Sequence, residues 1–526
     1  MFWAEKLAGD LTGAQVVNDS KTPSGRVHVG SLRGVIIHDV IYRAFQYLNK
    51  PVSFLYGADD YDALDTVPKY LDQVRFSPYL GFPLCNVPSP QDNASDYAKF
   101  YMQEFLQVFE YLGVRPKVYY LRDLYRDGKL NSYIDLFLRQ AALVRECYFR
   151  VSGGKRSEDW YPFQPICENC GKIATTVVTD YNGAEVFYTC KGTSYVSGCN
   201  YSGWVSPFDG KGKLPWKVEW VAKWDLLGVT VEMAGKDHSQ KGGSRDVANA
   251  ICESVLGKAA PFHSPYEFIL VNGTKMSSSK GVGSGAKEIA DLLPAELLRF
   301  LMLRTQPRTV INFSPNYETI TRLFRDYDTL VGKAIASPSL EGDELAPLRY
   351  AQVQAWQGHQ TFDLSTIISL LQLPHLDIEA EVRRRVGRPL NERDWQVISS
   401  YIATAKQWLR DYADEEEKLE IYLDRIPERA REVGLAQANY LCRLAKRLEA
   451  ITDWDAEILQ TEIFALTREL DLSQKEAFKA IYLAFLNKER GPKAGSLFSF
   501  LERDFVIQRL TMVGSLSGTD SLDVGN

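Results

Sequence analysis

"KTPSGRVHVGSLRG", residues 21–34, carries one histidine, three glycines and three basic side chains in fourteen positions. The apolar run "AQVV" (14–17) precedes it and "VIIHDVIYRAFQYL" (35–48) follows it. Leu32, Ile36, Val40, Ala44 and Leu48 fall on one face at helical spacing, which predicts a helix with a buried side. The run before the glycines reads as a short buried strand. A glycine-rich turn between strand and helix aims free backbone N–H groups and the positive end of the helix dipole at whatever sits there. Gly30 lets a ligand approach the backbone closely, and His28 adds a side-chain donor. A nucleotide fits that description; a capped helix with a stray histidine is the plainer alternative.

Working outward, 526 residues exceed what one core serves, and predict three or four domains. The composition is ordinary globular, 45% hydrophobic and 24% charged, with a net charge of −6. That charge excludes a global basic field, so any RNA partner must meet local basic patches. The start "MFWAEKLAGD" lacks a signal-peptide pattern, and no apolar run has the length of a membrane span. A cytoplasmic protein, with no membrane and no DNA partner, is the expectation. Its eight cysteines then point to free thiols or metal ligands rather than disulfides.

Short β-rich runs ("PVSFLYG", "RPKVYYL") alternate with helical periodicity ("DYAKFYMQEFLQVFEYLG") up to about residue 150, which predicts βαβ units and a parallel sheet. Six segments follow from the changes of texture: an α/β first half (1–150), a Gly-, Ser- and Cys-bearing insertion (151–215), an α/β second half (216–285), a helical region (286–344), an all-helical part (345–513) and a disordered tail (514–526). Within the insertion, "CENCGK" places Cys167 and Cys170 two residues apart, and Cys190 and Cys199 follow with eight residues between them. Four thiolates so spaced can enclose one structural Zn²⁺, which would also explain how a segment with little apolar core folds.

Two further clusters carry chemistry. "MAGKDHSQKGGSRD" (233–246) holds Asp237 and His238 beside three glycines. "VNGTKMSSSKG" (271–281) sets Lys275 and Lys280 around Met276, Ser277, Ser278 and Ser279. Ammonium and hydroxyl groups in that pattern can follow a triphosphate and meet charge that develops on it.

Taken in order, the H-x-G turn, the G-x-D-H and the K-M-S-x-S-K pattern resemble class I aminoacyl-tRNA synthetases. "TPSGRVHVGSLRG" (22–34), "DDYDALDTVP" (59–68), "EWVAKWDLLGV" (219–229), "GKDHSQKGGSRD" (235–246), "KMSSSKG" (275–281) and residues 304–330 resemble class I lysyl-tRNA synthetases in particular. Residues 472–501 resemble the helical anticodon-binding cage of bacterial glutamyl-tRNA synthetases. The resemblance implies a Rossmann-type parallel-sheet catalytic domain with a zinc-binding insertion, followed by an all-helical anticodon-binding domain. It implies ATP-dependent ligation of L-lysine to tRNA(Lys), with Mg²⁺ accompanying ATP. Catalytic roles then fall to His28, Gly30, Ser31, Lys275 and Lys280. ATP contacts extend to Ser24, Gly25, Asp237, Met276, Ser277, Ser278 and Ser279. Thr22, Asp60, Asp62, Trp220 and His238 are the candidates for the amino acid, since a lysine ammonium needs a carboxylate or an aromatic face. Ser31 stands where the family pattern has His or Asn, and Asp65 where it tends to have a basic residue. "VRRRVGRPLNER" (382–393) is a candidate for tRNA phosphates. The competing readings are a glutamyl-type class I synthetase and a non-catalytic RNA-binding paralogue.

Overall fold

The computed structural model describes residues 1–271, 285–336, 340–373, 376–415 and 417–516. The chain divides into two units, Met1–Ser314 with Asp326–Gly358, and Pro315–Arg325 with His359–Asn526. The expected segment boundary near 345 thus lies about fourteen residues before the change of unit at His359, and residues 315–325 group with the second unit rather than the first.

In the first unit, strand β1 (Gln15–Lys21) is followed by the helix Gly30–Tyr47 and by β2 (Val52–Ala58). The helix Tyr97–Tyr111 leads on to β3 (Lys117–Tyr120). These strands are parallel, with register Gln15↔Val52 through Lys21↔Ala58 and Leu55↔Lys117 through Ala58↔Tyr120. The local chemistry explains the helices. Asp96 caps Tyr97–Tyr111 by accepting from the Lys99 N–H at 3.0 Å. Leu32, Ile36, Val40 and Ala44 are wholly buried on Gly30–Tyr47. Leu48, the last member of the expected stripe, lies just beyond the helix end and is 37% exposed.

The insertion contains strands and no helix beyond its first two residues: β4 (Gln164–Pro165), β5 (Thr176–Tyr181), β6 (Val186–Cys190), β7 (Ser202–Val205) and β8 (Gly212–Lys213). β5, β6 and β7 form an antiparallel meander, and β4 pairs with β8. The helix Trp216–Leu227 then returns the chain to the parallel sheet. Val231 bridges Val17 on one side and Phe262 on the other, both in parallel, and β9 (Ala234–Gly235) pairs with β10 (Pro265–Tyr266). The spatial order is therefore β3, β2, β1, the 231–235 segment and the 262–266 segment. The direction of growth reverses beside β1, and α/β sheets bind ligands at the carboxyl ends of strands at such a switch point. β11 (Ile269–Val271) and β12 (Ile311–Phe313) form a further parallel pair.

The described part of the second unit is helical. Its longer helices include Glu392–Asp411, Leu435–Glu449, Ala456–Glu469, Gln474–Leu486 and Arg503–Leu516. Leu441, Leu444, Ile463, Ile481 and Leu510 meet in its core. Arg503–Leu516 runs past the point where the disordered tail is expected to begin, and residues 517–526 lie outside the described set. Among the described residues no helix is long and apolar enough to cross a membrane.

Candidate active site

A cavity of about 560 Å³ opens at the switch point. The end of β1 contributes Asp19, Ser20, Lys21 and Thr22, and the turn that follows contributes Ser24, His28, Gly30 and Ser31. Beyond β2 stand Asp59 and Asp62, while Trp216, Glu219, Trp220 and Lys223 project from one helix. Glu232, Asp237 and His238 close the far side with Tyr266 of β10. The helix Gly30–Tyr47 starts with no side-chain cap. Its first N–H groups are turned on the preceding chain, Ser31 to the His28 carbonyl and Leu32 to the Val29 carbonyl, both at 3.0 Å.

The structure thus brings Thr22, Ser24, His28, Gly30, Ser31, Asp62, Trp220, Asp237 and His238 to one cavity. It does not bring Asp60 there. Neighbouring residues past the end of β2 face opposite ways, so Asp59 takes the cavity and Asp60 is fully buried against Arg122. The Arg122 guanidinium pairs with Asp60 through Nε and grips Asp96 with both terminal nitrogens, at 2.7 and 2.8 Å. The Arg122 N–H also donates to Asp60 at 2.9 Å. That is a structural anchor, and it corrects the expectation that Asp60 meets the amino acid. Gly25 is buried in the turn and does not line the cavity. Lys275, Met276, Ser277, Ser278, Ser279 and Lys280 lie outside the described residues.

Six carboxylates line the cavity, Asp19, Asp59, Asp62, Glu219, Glu232 and Asp237, against two lysines, Lys21 and Lys223. Lys223 pairs with Asp59 at 2.6 Å, and the Ser20 hydroxyl donates to the other oxygen of Asp59 at 2.9 Å. Lys213 of β8 reaches in behind the wall to pair with Asp62 and with Glu219, the latter at 3.2 Å. Burial pushes the Asp19 and Glu219 carboxyls up to about 7, and burial lowers the Lys21 ammonium. Low dielectric disfavours each charge, and at Glu219 burial outweighs the Lys213 ammonium beside it.

Glu232 holds the aromatic wall. One of its carboxylate oxygens accepts from the Trp220 indole at 2.8 Å and the other from the Trp224 indole at 2.7 Å. Arg245 lies over both rings, 4.3 Å from the Trp224 centroid and 5.4 Å from that of Trp220. His238 packs edge-on to Trp216 and Trp220, at 5.5 and 6.3 Å. Beneath the site, His38 donates from Nδ1 to the Gly34 carbonyl at 2.7 Å and accepts at Nε2 from the Met233 N–H at 2.9 Å. That pairing fixes a neutral ring, and burial pushes its pKa down to about 4.

Asp19, Lys21, Asp59, Glu219, Lys223, Glu232 and Tyr266 are absent from the sequence expectations. A signal for some of them exists. Glu219 and Lys223 sit four apart in the otherwise apolar "VEWVAKW", and Glu232 is a lone acid in "VTVEM". Charges in apolar segments are buried, and a buried charge demands a partner.

In the insertion, Cys167, Cys170, Cys190 and Cys199 bring four sulfurs within 4.8 Å of one another. Gly171, at φ 75°, closes the knuckle, and its N–H donates to the Cys167 carbonyl at 2.8 Å. The Cys167–Cys199 and Cys170–Cys190 sulfurs stand 3.6 and 3.7 Å apart. A tetrahedral zinc with bonds of about 2.3 Å requires sulfur–sulfur edges of about 3.8 Å, so the donor set fits that ion.

Comparison with known proteins adds two family matches. The model described as "tRNA synthetases class I (K)" covers residues 1–354, and one described as "Anticodon binding domain" covers 397–513. A lysine–tRNA ligase of Thermoplasma volcanium is 32% identical over 516 residues, spanning 98% of this chain and 99% of its own. One from Methanosarcina barkeri is 30% identical over 546 residues, spanning 98% of both chains. One from Methanococcus maripaludis is 31% identical, spanning 97% of this chain and all of its own.

Proposed function

Since the chain belongs to the class I (K) tRNA synthetases, we infer that it is a lysine–tRNA ligase, which joins L-lysine to tRNA(Lys) at the expense of ATP. The observation that carries the choice of amino acid is the acid excess of the cavity, beside the indole of Trp220. A cation is stabilised among these carboxyls, drawing Asp19 and Glu219 towards their ionised forms, and over an aromatic face. A glutamate side chain would be repelled there, which disfavours the glutamyl-type alternative.

In this reading the lysine carboxylate attacks the α-phosphorus of ATP and pyrophosphate leaves, giving lysyl-adenylate. A hydroxyl of the terminal tRNA ribose then attacks the adenylate carbonyl and AMP leaves. No covalent protein intermediate is needed; orientation and charge stabilisation lower both barriers. His28, Gly30, Ser31 and Ser24 receive the adenosine and phosphates at the head of the helix, and Asp237 borders the ribose. Thr22, Asp62, Trp220 and His238 receive lysine. Lys275 and Lys280, with Met276 and Ser277, Ser278 and Ser279, steady the departing pyrophosphate together with Mg²⁺. The four cysteines hold a structural Zn²⁺ that ties the insertion together. The helical residues from about 345 to 513 read the anticodon, and the enzyme works in the cytoplasm with the rest of translation.

Purified protein with ATP, Mg²⁺ and a tRNA(Lys) transcript is expected to form lysyl-tRNA with release of AMP and pyrophosphate. Charging of glutamate onto its tRNA, with none of lysine, would overturn the reading.

A further inference from the structure

Lys213 is 3% exposed and does not line the cavity, yet its ammonium is held by two acids that do. It arrives from the insertion. β8 is paired with β4 in the register Gln164↔Lys213, and the Ile166 N–H donates to the Lys211 carbonyl at 2.8 Å. The next residue is the knuckle cysteine, Cys167. On its other flank, the Leu214 N–H donates to the Tyr125 hydroxyl at 2.8 Å, and that hydroxyl donates to Glu219 at 2.6 Å. Main-chain and side-chain bonds on both sides therefore fix where the Lys213 ammonium can go.

What it meets there is one end of a chain of hydrogen bonds. Asp62 takes Lys213 on Oδ1, and its Oδ2 accepts the Thr22 hydroxyl at 2.6 Å. We propose that Lys213 is a positioning residue that sets the direction of the Thr22–Asp62 hydrogen bond, so that Thr22 presents a lone pair rather than a proton to the cavity. A threonine hydroxyl has one proton and two lone pairs. While Asp62 is ionised it can only accept, so the Thr22 proton is committed to it and the free lone pairs face a bound substrate. An ammonium group is the substrate part that such an acceptor selects, and in this respect the inference rests on the lysine reading above.

Burial favours a protonated Asp62; the charge and hydrogen bond of Lys213, first among the opposing contacts and joined by the Thr22 hydroxyl and the Lys223 charge, outweigh it and hold Asp62 below the ordinary carboxylate range. With Lys213 gone, both Asp62 and Glu219 lose the cation that opposes their burial, and the neutral form of each is favoured. A protonated Asp62 donates to Thr22, whose own proton then turns into the cavity and opposes the ammonium. The insertion thereby conditions the amino-acid pocket through a single side chain.

The test compares Lys213→Met, which keeps the length and loses the charge, with Lys213→Arg, which keeps the charge, in steady-state charging of tRNA(Lys). Lys213→Met is expected to raise the lysine KM about 10- to 100-fold, the scale of one lost hydrogen bond to a charged group, with the ATP KM within about twofold. Lys213→Arg should recover most of that loss. Because Lys213 acts through Thr22, the Thr22→Val, Lys213→Met double variant should be no worse for lysine than the more impaired single variant. If Lys213→Met does not fold, Lys213→Gln removes the same charge with a side chain that can still hydrogen-bond to the buried acids, and it is expected to raise the lysine KM alike. Wild-type protein that charges no lysine refutes the activity reading. Wild-type activity with an unchanged lysine KM in Lys213→Met, matched rises in both Michaelis constants, or no recovery with Arg overturns the role of Lys213.

Discussion

Replacing Glu232 by glutamine probes the aromatic wall with the smallest change of shape. The wild-type carboxylate accepts the Trp220 and Trp224 indoles at 2.8 and 2.7 Å, one on each oxygen, and all three residues are buried. Arg245 lies over the two rings and donates to the Glu232 carbonyl at 3.2 Å and the Pro261 carbonyl at 2.7 Å. A glutamine amide has a single oxygen, so its NH₂ must face one indole N–H, donor against donor. One hydrogen bond to a charged acceptor is lost and a buried N–H is orphaned, which costs about 1.5–3 kcal/mol of stability. The displaced ring is the one that borders the cavity or its immediate support, and one negative charge disappears from the lining. The lysine KM is therefore expected to rise about 10- to 100-fold while the ATP KM holds. Urea midpoints and charging kinetics on the same preparations read both effects. Glu232→Asp is the companion, because it keeps the charge but is too short to reach both indoles. A Glu232→Gln protein with wild-type midpoint and wild-type lysine KM would refute the clamp.

Three other outcomes follow from the geometry. Arg122→Met leaves the buried Asp60 without its cation and should cost about 3–5 kcal/mol in a urea titration, with the lysine KM unchanged at temperatures where it is folded; a selective loss of lysine affinity would return Asp60 to the binding site. His38 is held at about 4 by burial against an ordinary 6.5, so the unfolded chain binds the extra proton between those values. Stability should then fall as pH drops from 6.5 towards 4, by up to about 3 kcal/mol, and a His38→Asn variant should lack that component of the slope. Protein purified without chelator should carry about one Zn²⁺ per chain, lost in a Cys167→Ser, Cys190→Ser double variant; a metal-free wild-type protein whose four thiols are all alkylated in the native state would contradict the zinc site.

The strand–glycine turn–helix unit, the insertion and its cysteines were legible because each is marked by local spacing. Leu32, Ile36, Val40 and Ala44 declare a buried helix face, and C-x-x-C-G declares a knuckle, without reference to any distant residue. The cavity's electrostatics were not legible in the same way. Whether Asp59 or Asp60 enters the site depends on the facing of the residues past β2, and nothing in "DDYD" fixes that facing. Lys223 pairs with Asp59 across 164 residues, and Lys213 with Asp62 across 151. Such pairs arise only when the sheet order and the return of the insertion are known. What the sequence does show is that Glu219, Lys223 and Glu232 are charges in apolar surroundings, which sets a demand for partners without naming them. Trp220 and Trp224, four apart, look alike in the sequence; the structure gives the first to the cavity and the second to its support.

In the proposed reaction an acid-rich, indole-walled cavity on this scaffold selects lysine for attachment to tRNA. Total tRNA incubated with the protein, ATP, Mg²⁺ and an equimolar mixture of all the standard amino acids, then digested to its 3′-terminal aminoacyl-adenosines and resolved by mass spectrometry, reads that selection in a single experiment. The lysyl ester alone is expected above the enzyme-free background. A different amino acid on the terminal adenosine, or none from protein that is folded, would contradict it.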